Sequence, residues 1–234
     1  MKNLLIAIPA YNEADILEKN ILKLYNFCLK NIKDYNWKII ISDNNSQDKT
    51  LEIAKKLSKK HKEIKYIHQE DRPKSLSLQK TFLKFNSNLY MYMDADLSTD
   101  IKHIPEFLKE IENYDIIIGS RIVKARNLKR EIISKGLLLI LKLFFSSNIK
   151  DFQCGFKIIN KKVRDNIIPK MKALRHGFMD TEMLLVALNK GYKVKEIPVK
   201  WKDERKSKVQ VFKDILDTSK NILRIKKDLI FGKY

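Results

Sequence analysis

A chain of 234 residues that is 44% hydrophobic can bury one large core, and 6 glycines with 5 prolines exclude a collagen-like or low-complexity chain. Its 48 basic residues outnumber 28 acidic ones, and the net charge of +20 favours anionic partners. The two cysteines, Cys28 and Cys154, exclude a disulfide scaffold and read as buried thiols of a reducing compartment.

The first 120 residues alternate between two hydrophobic periods. Leu4–Pro9 is a short apolar run, and Glu13–Lys30 then carries Ile16, Ile21, Leu24 and Phe27 at helical spacing. Trp37–Ser42 predicts a second strand, Asp48–Leu57 a helix and Ile64–His68 a third strand. Lys74–Phe85 predicts a helix, Leu89–Met93 a fourth strand, Ile101–Ile111 a helix and Tyr114–Gly119 a fifth strand. Strands separated by helices of this length imply βαβ units and a mostly parallel sheet. Apolar strands such as Ile39-Ile40-Ile41 suit a sheet covered by helices on both faces.

Such sheets bind ligands at the carboxyl ends of their strands. Those ends carry Pro9-Ala10-Tyr11-Asn12-Glu13, Ser42-Asp43-Asn44, Asp94-Ala95-Asp96 and Gly119-Ser120-Arg121. Asp43, at a strand end, reads as a ligand residue, and Asp48 as a helix cap. Asp94 and Asp96 are the sharper signal. Residues i and i+2 of an extended segment point to one side, where two carboxylates repel unless a cation lies between them. Hard oxygen donors that leave positions open for phosphate suit Mg²⁺ or Mn²⁺. The glycine-rich phosphate loops G-x-G-x-x-G and G-x-x-x-x-G-K-[ST] are missing, so a nucleotide would be held by metal and side chains.

The positive charge is uneven. Residues 121–150 hold eight basic residues against Glu131 alone, net +7, and residues 199–234 hold eleven against five, net +6. Both segments also carry apolar stripes: Ile132–Phe145, and Val209–Phe231 with Phe212, Ile215, Leu216, Ile222, Leu223 and Leu229. They read either as basic amphipathic surfaces drawn to anionic lipid or as faces packed on the core or another subunit. The run Leu4–Pro9 is too short for a secretion signal, and Gly136–Phe145, interrupted by Lys142, is too short for a span. The expectation is a cytoplasmic protein, soluble or peripheral on a membrane. No nucleic-acid-binding motif accompanies the charge, so nucleic acid is not expected as a partner.

Together, Ile8-Pro9-Ala10-Tyr11-Asn12-Glu13, Asp43, Asp94-Ala95-Asp96 and Gly119-Ser120-Arg121 resemble the GT-A glycosyltransferases of family 2. Asp151-Phe152-Gln153-Cys154-Gly155-Phe156-Lys157, Asp180-Thr181-Glu182 and Glu196-Ile197-Pro198-Val199-Lys200-Trp201 resemble the branch of dolichyl-phosphate glucosyltransferase and dolichol-phosphate mannose synthase. After strand three stands Pro73-Lys74-Ser75-Leu76, where relatives carry a lysine–glycine pair.

The resemblance implies a Rossmann-like catalytic domain over residues 1–205 and a C-terminal basic amphipathic helix over 206–234. It implies transfer of a hexose from a nucleotide sugar, UDP-glucose before GDP-mannose, to a polyprenyl or dolichyl phosphate, with inversion. Pro9, Ala10, Tyr11 and Glu13 would line the nucleotide pocket, and Asp43 would read the base. Asp94 would face the ribose and diphosphate, and Asp96 would hold Mg²⁺ or Mn²⁺. Arg121 would meet the acceptor phosphate. Arg130 and Ser134 read either as the rest of that clamp or as plain surface. Gln153 and Lys157 belong to the acceptor-side motif. Asp180 and Glu182 open a helix near the reaction centre or cap it, and Asp180 is the candidate base for a hydroxyl acceptor. Trp201 covers the sugar or fills the core. A family 2 transferase acting on a glycan hydroxyl is the alternative. A membrane subunit or a second copy of the chain would be a further partner.

Overall fold

The computed structural model describes residues 1–70, 73–121, 149–172, 178–202 and 211–234, the last as backbone alone up to residue 219. A seven-stranded sheet is built from β1 (Lys2–Ala10), β2 (Tyr35–Asn44), β3 (Ile64–Gln69), β4 (Leu89–Tyr92), β5 (Ile116–Arg121), β6 (Lys157–Asn160) and β7 (Val194–Val199). The helices are α1 (Ala14–Asn31), α2 (Thr50–Lys60), α3 (Lys74–Lys84), α4 (Ile104–Glu110), α5 (Lys161–Asn166), α6 (Met179–Asn189) and α7 (Val211–Ile230).

The strand order is β3-β2-β1-β4-β6-β5-β7. All five strands expected from the first 120 residues are present. They run parallel, so the carboxyl ends of β1, β2, β4 and β5 share one edge. β5 does not lie beside β4, because β6 enters between them antiparallel to both. A reversed strand begins at the edge where its neighbours end. The loop before β6, Asp151–Phe156, is thereby delivered to the ligand edge.

Alternation along the strands divides the core in two. Leu4, Ile6, Ile8, Ile39, Ile41, Met91, Ile117 and Ile158 face one side and pack with α1, α2 and α4. Leu5, Ala7, Ile40, Tyr90, Tyr92, Ile116, Ile118 and Ile159 face the other, under α3, α5, α6 and α7. Helix α6 is buried from Met183 to Ala187. Each large side chain enclosed in this way contributes about 1.5–3 kcal/mol. That burial fixes the helix that carries Asp180.

Candidate active site

The loops after β1 and β2 are locked to each other by side-chain hydrogen bonds. Asp48 accepts the N–H of Thr50 (2.9 Å) and of Ala14 (3.1 Å), so one carboxylate serves the first turns of both α1 and α2. Those hydrogen bonds hold its pKa below the ordinary carboxylate value, against the opposing effect of burial. Asn12, with φ 54°, receives Gln47 N–H on its Oδ1 (2.8 Å) and gives its own N–H to Ser46. Asparagine tolerates this left-handed conformation better than most residues. Tyr11 beside it is 39% exposed. Pro9 and Ala10 end β1 opposite Ser42 and Asp43 of β2, and the Glu13 N–H donates to Thr50 Oγ1.

Asp43 is fully buried. Its Oδ2 lies 2.6 Å from Nδ1 of His68, which stands opposite on β3. Among the described residues its Oδ1 has no hydrogen-bond partner. Below this pair, Gln69 and Thr81 donate to Ser42 Oγ, and Ser42 and Ser77 share a short hydrogen bond. These buried groups fasten the start of α3 to the ends of β2 and β3.

That fastening places Lys74, the first residue of α3, in an ion pair with Asp94. Burial acts to lower the Lys74 pKa, but Asp94, Asp180 and Asp96 outweigh it and hold the ammonium above its ordinary value. Lys74 lies in Pro73-Lys74-Ser75-Leu76, the segment noted for its missing lysine–glycine pair, where the sequence reading gave the lysine no role of its own. Its signal was its place, in the segment that follows a parallel strand at the ligand edge.

Asp94 and Asp96 follow β4, and both are partly exposed. Asp96 Oδ1 accepts the N–H of Ser98 (3.0 Å), and the intervening Leu97 has φ 51°. A leucine in that region is strained, and such strain gathers at functional sites. The donor chemistry fits a hard divalent cation. Among the described residues no three acidic, histidine or cysteine side chains converge on one point. A cation here would therefore share its coordination with substrate oxygens and water, as Mg²⁺ commonly does.

The loop before β6 presses against the same acid. A Cβ built on Gly155 would fall 2.3 Å from Asp94 Oδ2. Phe156 anchors this loop edge-to-face on Phe107 of α4 (4.9 Å). Lys157 has no exposed surface. Its ammonium donates to the Cys154 carbonyl and lies 3.1 Å from Asp180 Oδ1, an ion-pair distance without hydrogen-bond alignment. Burial pushes the Asp180 carboxyl up to about 7, with Lys74 opposing, and pulls Lys157 down to about 8. Both groups change charge near neutrality. Lys157 is thus a buried partner of Asp180 and of the Cys154–Gly155 turn. Gln153 of the same motif is exposed.

Arg121 ends β5 and grips Asp151 through Nε (2.6 Å) and Nη2 (2.8 Å). Burial opposes this pair, yet the hydrogen bonds hold Arg121 above and Asp151 below their ordinary pKa values. The guanidinium lies 5.4 Å from the Trp201 ring centre. Trp201 is half-buried, and its segment runs along the Asp96 loop through a bridge to Thr99 and the bond from Lys202 N–H to Ser98 O (2.9 Å). The tryptophan therefore lies against the site rather than within the core.

Asp180 and Glu182 part company. Asp180 faces Lys157, whereas Glu182, fully buried, accepts from Arg224 Nη2 of α7 (2.8 Å), from the Tyr234 hydroxyl and from the N–H of Lys172. Arg130, Ser134 and the stripe Ile132–Phe145 lie outside the described residues.

Residues 5–168 match Glycosyl transferase family 2. Glycosyltransferase AglD of Haloferax volcanii is 30% identical over 226 residues, covering 94% of this chain and 36% of that protein. Dolichyl-phosphate beta-glucosyltransferase ALG5C of Trichomonas vaginalis is 28% identical over 221 residues, covering 87% of this chain and 65% of that protein. The chain thus spans about a third of the Haloferax protein and just under two thirds of the Trichomonas one. Among solved structures, glucosyl-3-phosphoglycerate synthase from Mycobacterium tuberculosis, in complex with Mn²⁺, uridine-diphosphate and phosphoglyceric acid, superposes with a TM-score of 0.74 at 11% identity. The superposition covers 96% of this chain and 78% of that one, and it establishes the shared fold. With its strand-end acids on a mostly parallel sheet and a family match over most of its length, this chain belongs to glycosyl transferase family 2.

Proposed function

We propose that this chain transfers a hexose from a nucleotide sugar, UDP-glucose before GDP-mannose, to a polyprenyl phosphate at the cytosolic face of a membrane, with inversion. The observation that carries the reading is the convergence of Asp94, Asp96 and Lys74 with the pairs Arg121–Asp151 and Lys157–Asp180 at one sheet edge. The dolichyl-phosphate glucosyltransferase relatives support the acceptor class. The exposed Leu223, Ile230 and Phe231 of the C-terminal segment, with Lys220 and Lys227 beside them, support contact with an anionic membrane surface. Among the described residues no helix is long and apolar enough to cross a membrane. Residues 206–234 would then serve as the interfacial segment of a catalytic domain over 1–205.

In this reading Asp94 and Asp96 hold Mg²⁺ or Mn²⁺, and the bound cation supplies positive charge to the leaving diphosphate. Pro9, Ala10, Tyr11 and Glu13 line the nucleotide pocket, and Asp43 reads the base. Lys74 adds a second positive charge beside Asp94 and assists charge development on the donor phosphates. Arg121, held rigid by Asp151, offers its remaining N–H groups to the acceptor phosphate. Gln153 lies on that acceptor side, and Lys157 holds the Gly155 turn under Asp94. Asp96→Asn keeps the side chain's shape and removes a ligand charge. Turnover with a short polyprenyl phosphate should fall by at least ~10²-fold, about 2.7 kcal/mol of barrier. Near-normal turnover of the variant, or full activity in EDTA, would remove Asp96 from the metal site.

A second reading rests on Asp180, whose carboxyl is pushed up to about 7. A base of that strength suits a sugar hydroxyl acceptor, whose proton must leave as attack proceeds. An acceptor phosphate is largely ionised at pH 7 and needs positioning instead. For a phosphate acceptor, Arg121→Lys should raise the acceptor KM by ~10-fold or more, because a point charge cannot replace the fork, and Asp180→Asn should cost less. For a hydroxyl acceptor the order reverses. The wild-type rate should then fall as pH drops through about 7, where Asp180 takes up its proton. Steady-state kinetics of both variants from pH 6 to 9 separates the two readings.

A further inference from the structure

The carboxylate of Asp43 has two oxygens with unlike fates. Oδ2 is 2.6 Å from His68 Nδ1, and Oδ1 is buried with no partner among the described residues. An ionised carboxylate only accepts, so Nδ1 carries the hydrogen and donates. Asp43 therefore keeps one buried oxygen without a donor among the described residues, where it would otherwise keep two. The pairing is built into the sheet, since Asp43 and His68 stand directly opposite in the parallel register of β2 and β3. On the next rung Asn44 Oδ1 and Gln69 Oε1 are likewise buried acceptors with no donor among the described residues. Buried polar groups are rarely left unpaired, and three such oxygens at the ends of β2 and β3 suit a ligand that brings a donor.

We propose that His68 is the specificity-determining residue for the nucleobase: by occupying Asp43 Oδ2 it leaves a one-acceptor reader that takes uracil and rejects guanine. This rests on the reading of Asp43 as the base contact. Uracil offers one N–H, at N3, between two carbonyls. Guanine offers two adjacent donors, at N1 and N2, which match both oxygens of a free carboxylate. Against the Asp43–His68 pair one guanine donor is stranded next to an imidazole N–H. A site built for one hydrogen-bonding edge discriminates strongly against another that leaves groups unpaired. His68 acts through Asp43 and is a positioning residue. Its side chain is 40% exposed, so its replacement spares the core.

The test is calorimetric binding of UDP and GDP, with Mn²⁺, to the full chain and to His68→Ala and His68→Gln. The wild type should bind UDP at least ~10-fold tighter than GDP, the equivalent of one unmet hydrogen bond. His68→Ala should narrow that ratio by ~10-fold, mainly through a gain in GDP affinity. His68→Gln, whose amide still donates, should keep most of the preference. A purely structural role would weaken both ligands alike and leave the ratio unchanged, and that result would overturn the inference. So would equal UDP and GDP affinity in the wild type. If neither nucleotide binds the wild type, it is the nucleotide-sugar reading itself that fails.

Discussion

Gly155→Ala should lower turnover by ~10²-fold or more while the melting temperature hardly moves. The added methyl would sit 2.3 Å from Oδ2 and 2.9 Å from Cγ of Asp94. Both are atoms of a partly exposed side chain, so the fold accommodates the methyl by turning Asp94 aside. Asp94 also holds Lys74, and the displacement therefore moves both charges that face the donor phosphates. A misplacement of about 1 Å in a catalytic constellation costs ~10²-fold, roughly 2.7 kcal/mol. The loop itself should keep its place, because Phe156 is packed on Phe107 and Lys157 holds the Cys154 carbonyl. Steady-state kinetics with a thermal melt of the same preparation checks this. Wild-type turnover would show that the position of Asp94 does not matter. A melting temperature that collapses with activity would instead make Gly155 a requirement of folding.

Arg224→Met should cost about 2–4 kcal/mol of stability, the range for breaking a largely buried ion pair and leaving the other charge behind. Glu182 has no exposed surface and sits on α6, whose other buried residues are apolar apart from Thr181. Arg224 is a charged partner of Glu182, and Tyr234, itself in contact with Arg224 Nη1 (3.2 Å), joins the node. Asp228 joins Lys172, Lys233 and Arg224 around it. For a chain of this size the loss corresponds to a fall in Tm of roughly 5–12 °C. The double variant Glu182→Met with Arg224→Met should recover much of that, because apolar replacement of both members removes the stranded charge. Thermal denaturation of the three proteins decides it. An Arg224→Met melt within about 1 °C of wild type would mean that solvent reaches Glu182. The same node means that removing α7 to test membrane contact would also unseat a buried carboxylate two residues from Asp180.

Two histidines and three acids illustrate what could be read in advance. Asp48 is legible as a cap of α2 because that role is local, a carboxylate that accepts the N–H of Thr50 two residues on, whereas its second bond, to the N–H of Ala14, belongs to the tertiary structure. Asp180 and Glu182 were not separable, since residues two apart at a helix start diverge in direction and only packing says what each meets. Nothing in the chain around His68 and His103 tells the two imidazoles apart. One pairs with Asp43 across a strand register, and the other receives the Lys200 N–H far along the chain (3.1 Å).

The sequence by itself determined the parallel half of the sheet, its helical cover and the strand-end acids Asp43, Asp94 and Asp96. These follow from periodicity and from the boundary between an apolar run and a polar loop, which neighbours in the chain define. Only the tertiary structure decided that β6 runs backward between β4 and β5, which brings Gly155 and Lys157 beneath Asp94 and Asp180. It alone paired Arg121 with Asp151, Lys74 with Asp94 and Glu182 with Arg224. Strand direction is set by which buried faces and backbone hydrogen bonds are satisfied together, and a four-residue strand such as Lys157–Asn160 carries too little pattern to announce it. Ion pairs between residues 20 to 42 positions apart leave no period in the chain, because charge attracts through space and is blind to sequence.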